Sequence, residues 1–157
     1  VQDFHDNVRR LVEFPHQLTQ VVQALTEAQM RFKPANEWSV IENIGHLIDI
    51  DELYVGRVDR ILAEERPEFP RFEPDPIVVA KGYQQMNGHD VLQQFIATRQ
   101  ATIDGLSTIE PDELDRAGMH AVYGEMTLRR LVEQLANHDQ KHMVQIHETL
   151  AAYATQS

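Results

Sequence analysis

The stretch ANHDQKHMVQI, residues 136–146, places His138 and His142 four residues apart in what reads as a helix. Neutral imidazole is a divalent-metal ligand, and this spacing lets two rings on one helix reach one ion. At about 100° per residue, both rings fall within ~20° of Leu131. They continue the stripe Leu128, Leu131, Leu135, which resumes at Ile146 and Leu150. His147 points nearly the opposite way. The pair is therefore expected to face the interior, where four ring nitrogens need partners. A shared ion would satisfy one nitrogen on each ring. Hydrogen bonds to protein groups would serve two merely structural histidines equally well. The motif is not that of a zincin, because Asp139 and not Glu follows His138 and lies about 100° around the helix.

Two charged residues interrupt apolar stripes on other helices. Asp51 stands between Ile48 and Val55 in the repeat that begins Ile41, Ile44. Arg99 lies on the stripe of Leu92, Ile96, Ile103 and Leu106. A lone buried charge costs several kcal/mol, so Asp51 and Arg99 are expected to form a buried salt bridge. The alternative is that each reaches solvent at a frayed edge. A third metal ligand must come from elsewhere. His46, beside Ile50 and Leu53 on its helix, is a candidate from periodicity alone. His5, His89 and His120 fall near element ends or in loops and read as solvated.

Four helical segments must position these residues. The first spans about residues 3–26, with Pro15 either kinking it or starting a new helix. The second begins at the capping box Ser39-x-x-Glu42 and runs to about Glu65. The third covers about 88–106, capped by Asn87, and the fourth runs from Thr127 to about Tyr153. No convincing strand is legible. The linker RPEFPRFEPDP has a proline density that forbids regular helix or a central strand. The implied fold is an all-α four-helix bundle. The linkers after the second and third helices are about 20 residues each. At ~3.3 Å per extended residue either could cross the bundle's length, so a long crossover connection is expected.

Composition narrows the function. The 157 residues suit one domain, 1–157. There is no cysteine, which excludes disulfides, thiolate metal sites and cysteine nucleophiles. A net charge of −11 opposes binding to a phosphate backbone, so no nucleic-acid partner is expected. No apolar run approaches a membrane span, and VQDFHDNVRR has no signal-peptide core. A cytoplasmic setting is expected, with the start at Val1 trimmed or processed.

The order and spacing of the motifs are specific. NEWSVIENIGHLIDIDELYVGRVDRIL, followed later by YGEMTLRRLVEQLANHDQKHMVQI, resembles the DinB/YfiT-like superfamily of metal-binding four-helix bundles. The likeness lies in Trp-Ser before the second helix, His-Leu within it, and Gly-Glu-x-Thr-Leu leading to His-Asp-x-x-His. It covers nearly the whole chain. The resemblance implies a divalent metal, zinc or nickel, on His46, His138 and His142, in an up-down-down-up bundle that forms homodimers. It implies a metal-dependent enzyme acting on a small molecule. S-transfer with a low-molecular-weight thiol as co-substrate stands ahead of hydrolysis, and a non-catalytic metal-binding bundle stands third. Where many relatives have Glu five residues after the helix-two histidine, this chain has the shorter Asp51.

No general base is identifiable. Asp139, Asp49 and Gln145 are candidates to orient the ligands, the two aspartates alternatively being solvated charges. Tyr123 could cover the site from the linker. A ferritin-like di-iron centre is the competing reading of Glu13 to His16 and Asp139 to His142. It fails on VLQQFIATRQATI, which has no carboxylate to contribute.

Overall fold

Six α-helices and a small sheet make up residues 2–156, which the computed structural model describes. Val1, where the sequence points to a trimmed start, lies outside them. The helices are α1 (Gln2–Val22), α2 (Glu27–Arg31), α3 (Val40–Ala63), α4 (Pro74–Lys81), α5 (Gly88–Leu106) and α6 (Leu128–Thr155). The strands are β1 (Glu68–Phe69), β2 (Ala117–His120) and β3 (Gly124–Thr127). The four long helices form the bundle. Ser39 caps α3 in a reciprocal capping box with Glu42, Asn87 caps α5 and Thr127 caps α6.

Contacts between helices set their directions. His46 meets His138 while Asn43 meets His142, so α3 and α6 are antiparallel. Asp51 pairs with Arg99 and Thr102, while a Cβ on Gly88 would meet Ile41, so α3 and α5 run parallel. Leu11 meets Arg99 and Phe14 meets Phe95, which makes α1 antiparallel to α5. The result is an up-down-down-up bundle in which α1 and α3 each pack between α5 and α6. Parallel α3 and α5 require the intervening segment to travel the bundle's length.

Three local expectations are corrected. First, of the two readings of Pro15 a new helix is excluded, since α1 is continuous through it. Proline has no N–H to offer Leu11 O four residues earlier, and Arg99 Nη1 donates to that carbonyl instead, at 3.1 Å. Second, the proline-rich linker does contain a helix, α4. Pro74 is its first residue and Pro76 is still in the first turn, where N–H groups lack helical partners anyway. Third, there is a sheet. β1 pairs parallel with β2, and β2 pairs antiparallel with β3. Its strands have two to four residues, too short for a period-2 signal. Gly118 lets the sheet close, since a Cβ there would press on the Phe69 ring and lie 2.8 Å from Pro67 O.

The apolar core falls into two clusters. One gathers Leu11, Ile50, Val58, Leu106, Leu131 and Leu135; the other gathers Phe14, Leu18, Ile44, Ile48, Phe95 and Ile146. A polar layer lies between them. Arg99, fully buried on α5, donates through Nε and Nη2 to Asp51 at 2.8 and 2.9 Å. Through Nη1 and Nη2 it donates to Asp139 at 2.8 Å each. With Leu11 O, every guanidinium N–H has an acceptor. Asp51 also accepts from Thr102 Oγ1 at 2.9 Å. One side chain thus ties all four long helices at one level.

Removing the cation would leave two buried carboxylates facing each other. Arg99→Met is expected to lose ~3–5 kcal/mol of stability, measured from urea midpoints. A loss below ~1 kcal/mol would show that the layer is dispensable. Gly45→Ala is expected to cost ~1–3 kcal/mol, because its Cβ would sit inside the Tyr83 ring.

Candidate metal centre

His46 on α3 and His138 and His142 on α6 converge. Each offers one ring nitrogen, and these atoms all lie within 4.8 Å of one another. His46 Nε2 and His138 Nε2 are 3.0 Å apart. His46 and His142 are buried, and His138 is partly buried. Two bare lone pairs at that separation repel, so a proton or a cation must be shared between them.

The tautomer of His142 follows from its neighbours. Asn43 Nδ2 donates to Ser39 O at 3.0 Å, which turns Asn43 Oδ1 toward His142. Asn43 Oδ1 then accepts from His142 Nδ1 at 2.8 Å, leaving Nε2 with its lone pair free. The Nδ1 atoms of His46 and His138 are buried without a protein partner. All three rings are held neutral. Burial, then the Lys141 charge, lowers His46 to about 4. Burial, then His46, lowers His138 to about 3. Burial, then His138, lowers His142 to about 2. Three neutral imidazoles with converging nitrogens fit a divalent cation with an open coordination position.

The centre sits at the base of a cleft of about 830 Å³. The Trp38 ring covers it, 4.8 Å from the His46 ring and stacked 6.1 Å from His142. Tyr54 and Arg57 extend the wall along α3, and His120 and Tyr123 reach it from the β2–β3 hairpin. Tyr123 is exposed and borders the cleft, 4.8 Å from the His120 ring.

The candidate orienting residues take other places. Asp139 is neither solvated nor a histidine partner; it is fully buried and bound to Arg99. Burial pushes its carboxyl up, to about 6, against the pull of Arg99. Asp49 accepts from the Tyr83 hydroxyl at 2.7 Å and touches no ligand ring. Burial raises its pKa, opposed by Tyr83 and Lys81. Gln145 borders the cleft beside His142. Glu13 and His16, the other half of the di-iron reading, are exposed on α1, away from the cluster.

Sequence reasoning missed Asn43, Trp38 and Arg57, and read His120 as solvated although it is only 7 % exposed. Asn43 carried a signal: it is an amide inside the buried run VIENIGHLI, one turn before His46. His120 carried none, because its burial depends on the hairpin.

Residues 10–146 match the DinB superfamily, by far the greater part of the chain. The chain belongs to the DinB superfamily. It is 22% identical over 144 residues to YuaE of Bacillus subtilis, covering 81% of this chain and 86% of that one. It is 17% identical over 147 residues to an Oceanobacillus iheyensis protein named "Putative metal-dependent hydrolase OB0413", covering 93% and 84%. Its fold is similar to that of YfiT from Bacillus subtilis, described as "a probable metal-dependent hydrolase with an unusual four-helix bundle topology". The TM-score is 0.86 at 19% identity, over 98% of this chain and 89% of that one. Among the described residues, no helix is long and apolar enough to cross a membrane.

The neutral rings have a consequence for stability. Below the ordinary histidine pKa of ~6.5 the unfolded chain binds protons that the folded, metal-free protein refuses. Stability is then full above pH ~6.5 and falls as the pH drops toward the folded values. At pH 5.5 the loss relative to pH 7.5 is expected to be ~1–4 kcal/mol in urea titrations of chelator-treated protein. The double variant His138→Gln/His142→Gln should flatten this dependence. An unchanged slope would mean that the rings are not held neutral.

Proposed function

We propose that this DinB superfamily protein is a metal-dependent enzyme, with a divalent ion, zinc or nickel, held by His46, His138 and His142. The observation that carries the reading is the convergence of three neutral imidazoles at the base of an open cleft. When bound, such an ion lowers the pKa of a thiol or of water and polarises a substrate oxygen. The chain's own residues keep that centre in shape. Asn43 holds the His142 ring with its Nε2 lone pair toward the other two. Asp139, clamped by Arg99, fixes the rotation of α6 and so the facing of His138 and His142. Trp38 shields the centre on one side.

Neither aspartate near the ligands is available as a base, since Asp139 and Asp49 are both engaged elsewhere, and the carboxylates that border the cleft, Glu37, Asp75 and Glu148, are exposed. This favours a nucleophile that a bound ion would itself help to ionise. A thiol meets this condition readily, since its ordinary pKa is ~8.5. The cleft is also of a size that holds drug-sized ligands or two smaller ones. Transfer of a low-molecular-weight thiol to a small electrophile is accordingly the first reading. Hydrolysis is the second, favoured by the descriptions of the Oceanobacillus protein and YfiT. A homodimer belongs to the same reading, and sedimentation velocity would reveal it.

Metal analysis of untagged protein is expected to find about one ion per chain. His138→Ala should lower metal affinity at least ~10-fold and abolish turnover. Unchanged metal affinity in that variant would mean that the ligands are misassigned. With the metal-loaded protein, thiol consumption in the presence of 1-chloro-2,4-dinitrobenzene supports transfer, whereas release of nitrophenol from nitrophenyl acetate without thiol supports hydrolysis. Turnover of neither, with metal bound, would favour the non-catalytic bundle.

A further inference from the structure

Among the described residues two cations at the cleft lack a carboxylate partner: Lys141, which is exposed to water, and Arg57, which is not. Arg57 is only 7% exposed, yet among the described residues no carboxylate lies within salt-bridge distance of it. Its protein acceptor is Pro70 O, at 3.4 Å from Nη2. The faces of Tyr54 and Phe69 lie 5.6 and 5.4 Å from its Cζ and take up the guanidinium plane. Beyond the bond to Pro70 O its N–H groups have no acceptor among the described residues and open to the cleft. In a chain with 25 acidic residues, a buried arginine without one is an anomaly. Arg99, which lies deeper, has every donor satisfied.

A second donor stands beside it. His120 Nδ1 accepts the backbone N–H groups of Val122 and Tyr123, at 3.0 and 3.2 Å. Its proton is therefore on Nε2, for which the described residues supply no acceptor. Both side chains border the cleft that contains the three-histidine cluster. The carboxylates at the cleft, Glu37, Asp75 and Glu148, are exposed at its rim and face water.

We propose that Arg57 and the Nε2–H of His120 form an anion subsite. The substrate it selects is an elongated molecule with a carboxylate or another oxyanion at the end away from the histidine cluster. The proposal rests on the metal reading only for where the reacting end sits. Planar guanidinium with paired donors suits a carboxylate or phosphate better than a neutral group. The length follows from α3. His46 and Arg57 lie on one face, with Ile50, Leu53 and Tyr54 between them along the cleft. Eleven residues of helix rise ~16 Å. The α3 side chains between them at the cleft, Ile50, Leu53 and Tyr54, are mainly apolar. The favoured ligand is thus polar at both ends and apolar between.

The single tryptophan, Trp38, borders the cleft, so its fluorescence reports occupancy. Two pairs of probes separate the two ends. In metal-free protein, octanoate is expected to bind about tenfold more tightly than octanol. In zinc-loaded protein, 8-mercapto-octanoate should keep the same advantage over 8-mercapto-octanol. Arg57→Gln should abolish the advantage while leaving the alcohols unaffected, and Arg57→Lys, which retains charge and stem, should keep part of it. Circular dichroism would verify that each variant is folded. Equal binding of acid and alcohol to the native protein would overturn the subsite, as would a preference that survives in Arg57→Gln. If zinc gives the thiol probes no gain over the thiol-free ones, the metal reading fails. The metal-free comparison still decides the subsite.

Discussion

A single guanidinium sets the level of every long helix. Arg99 binds Asp51 on α3, Asp139 on α6 and the Leu11 carbonyl on α1, all from a buried position on α5. A buried charge is tolerated only when its donors are matched, and here all of them are. Burial alone would lower the affinity of Arg99 for its proton; the hydrogen bonds to Asp139 and Asp51 more than offset this. Hydrophobic packing is non-directional, whereas hydrogen bonds to a guanidinium are satisfied at one register only. The layer therefore supplies register where the two apolar clusters supply most of the cohesion. Even the proline in α1 is part of it, because the Leu11 carbonyl that Pro15 leaves without a helical donor accepts from Arg99.

The consequence for the site is geometric. His138, Asp139 and His142 share one helical turn, and α6 can satisfy them only in one orientation. Asp139 turns toward the arginine, and the histidines turn toward His46 and the cleft. The dipeptide His138-Asp139 thus couples the polar core to the candidate metal centre through backbone alone. This explains how a cleft open to solvent can hold three rings within one ion's reach. The facing of the α6 pair is fixed from behind by the core, that of His142 also by its bond to Asn43, and Trp38 packs on the rings from the cleft.

Much of this was legible because it is periodic or capped. Long helices with side chains at 3-4 spacing announce which residues face inward, so the inward histidines and the two interior charges could be read directly. Cap residues marked the starts of α3, α5 and α6 within a residue, while the short α2 was not foreseen. Short elements were not legible. The strands contain too few residues to show alternation, and α4 begins on prolines whose usual meaning is the end of helix. Proline is a helix breaker only where its N–H is needed, and in a first turn it is not.

The sequence by itself determined the four-helix architecture, the inward facing of His138 and His142, and the presence of interior charges that needed partners. Those are one-dimensional facts, carried by spacing and by the cost of burying polar groups. The pairing of Asp51 with Arg99 could be named from spacing, but tertiary structure alone added Asp139 and the Leu11 carbonyl to it. Asp139 was adjacent to a candidate ligand and looked like its helper, but the rotation of α6 gave it to Arg99. His120 looked solvated, until a hairpin too short to predict folded it against the cleft. Arg57 carried no signal in the sequence, and packing left it buried without a carboxylate. Partnership between residues distant in the chain depends on helix rotation and relative depth, and neither is encoded by any local pattern.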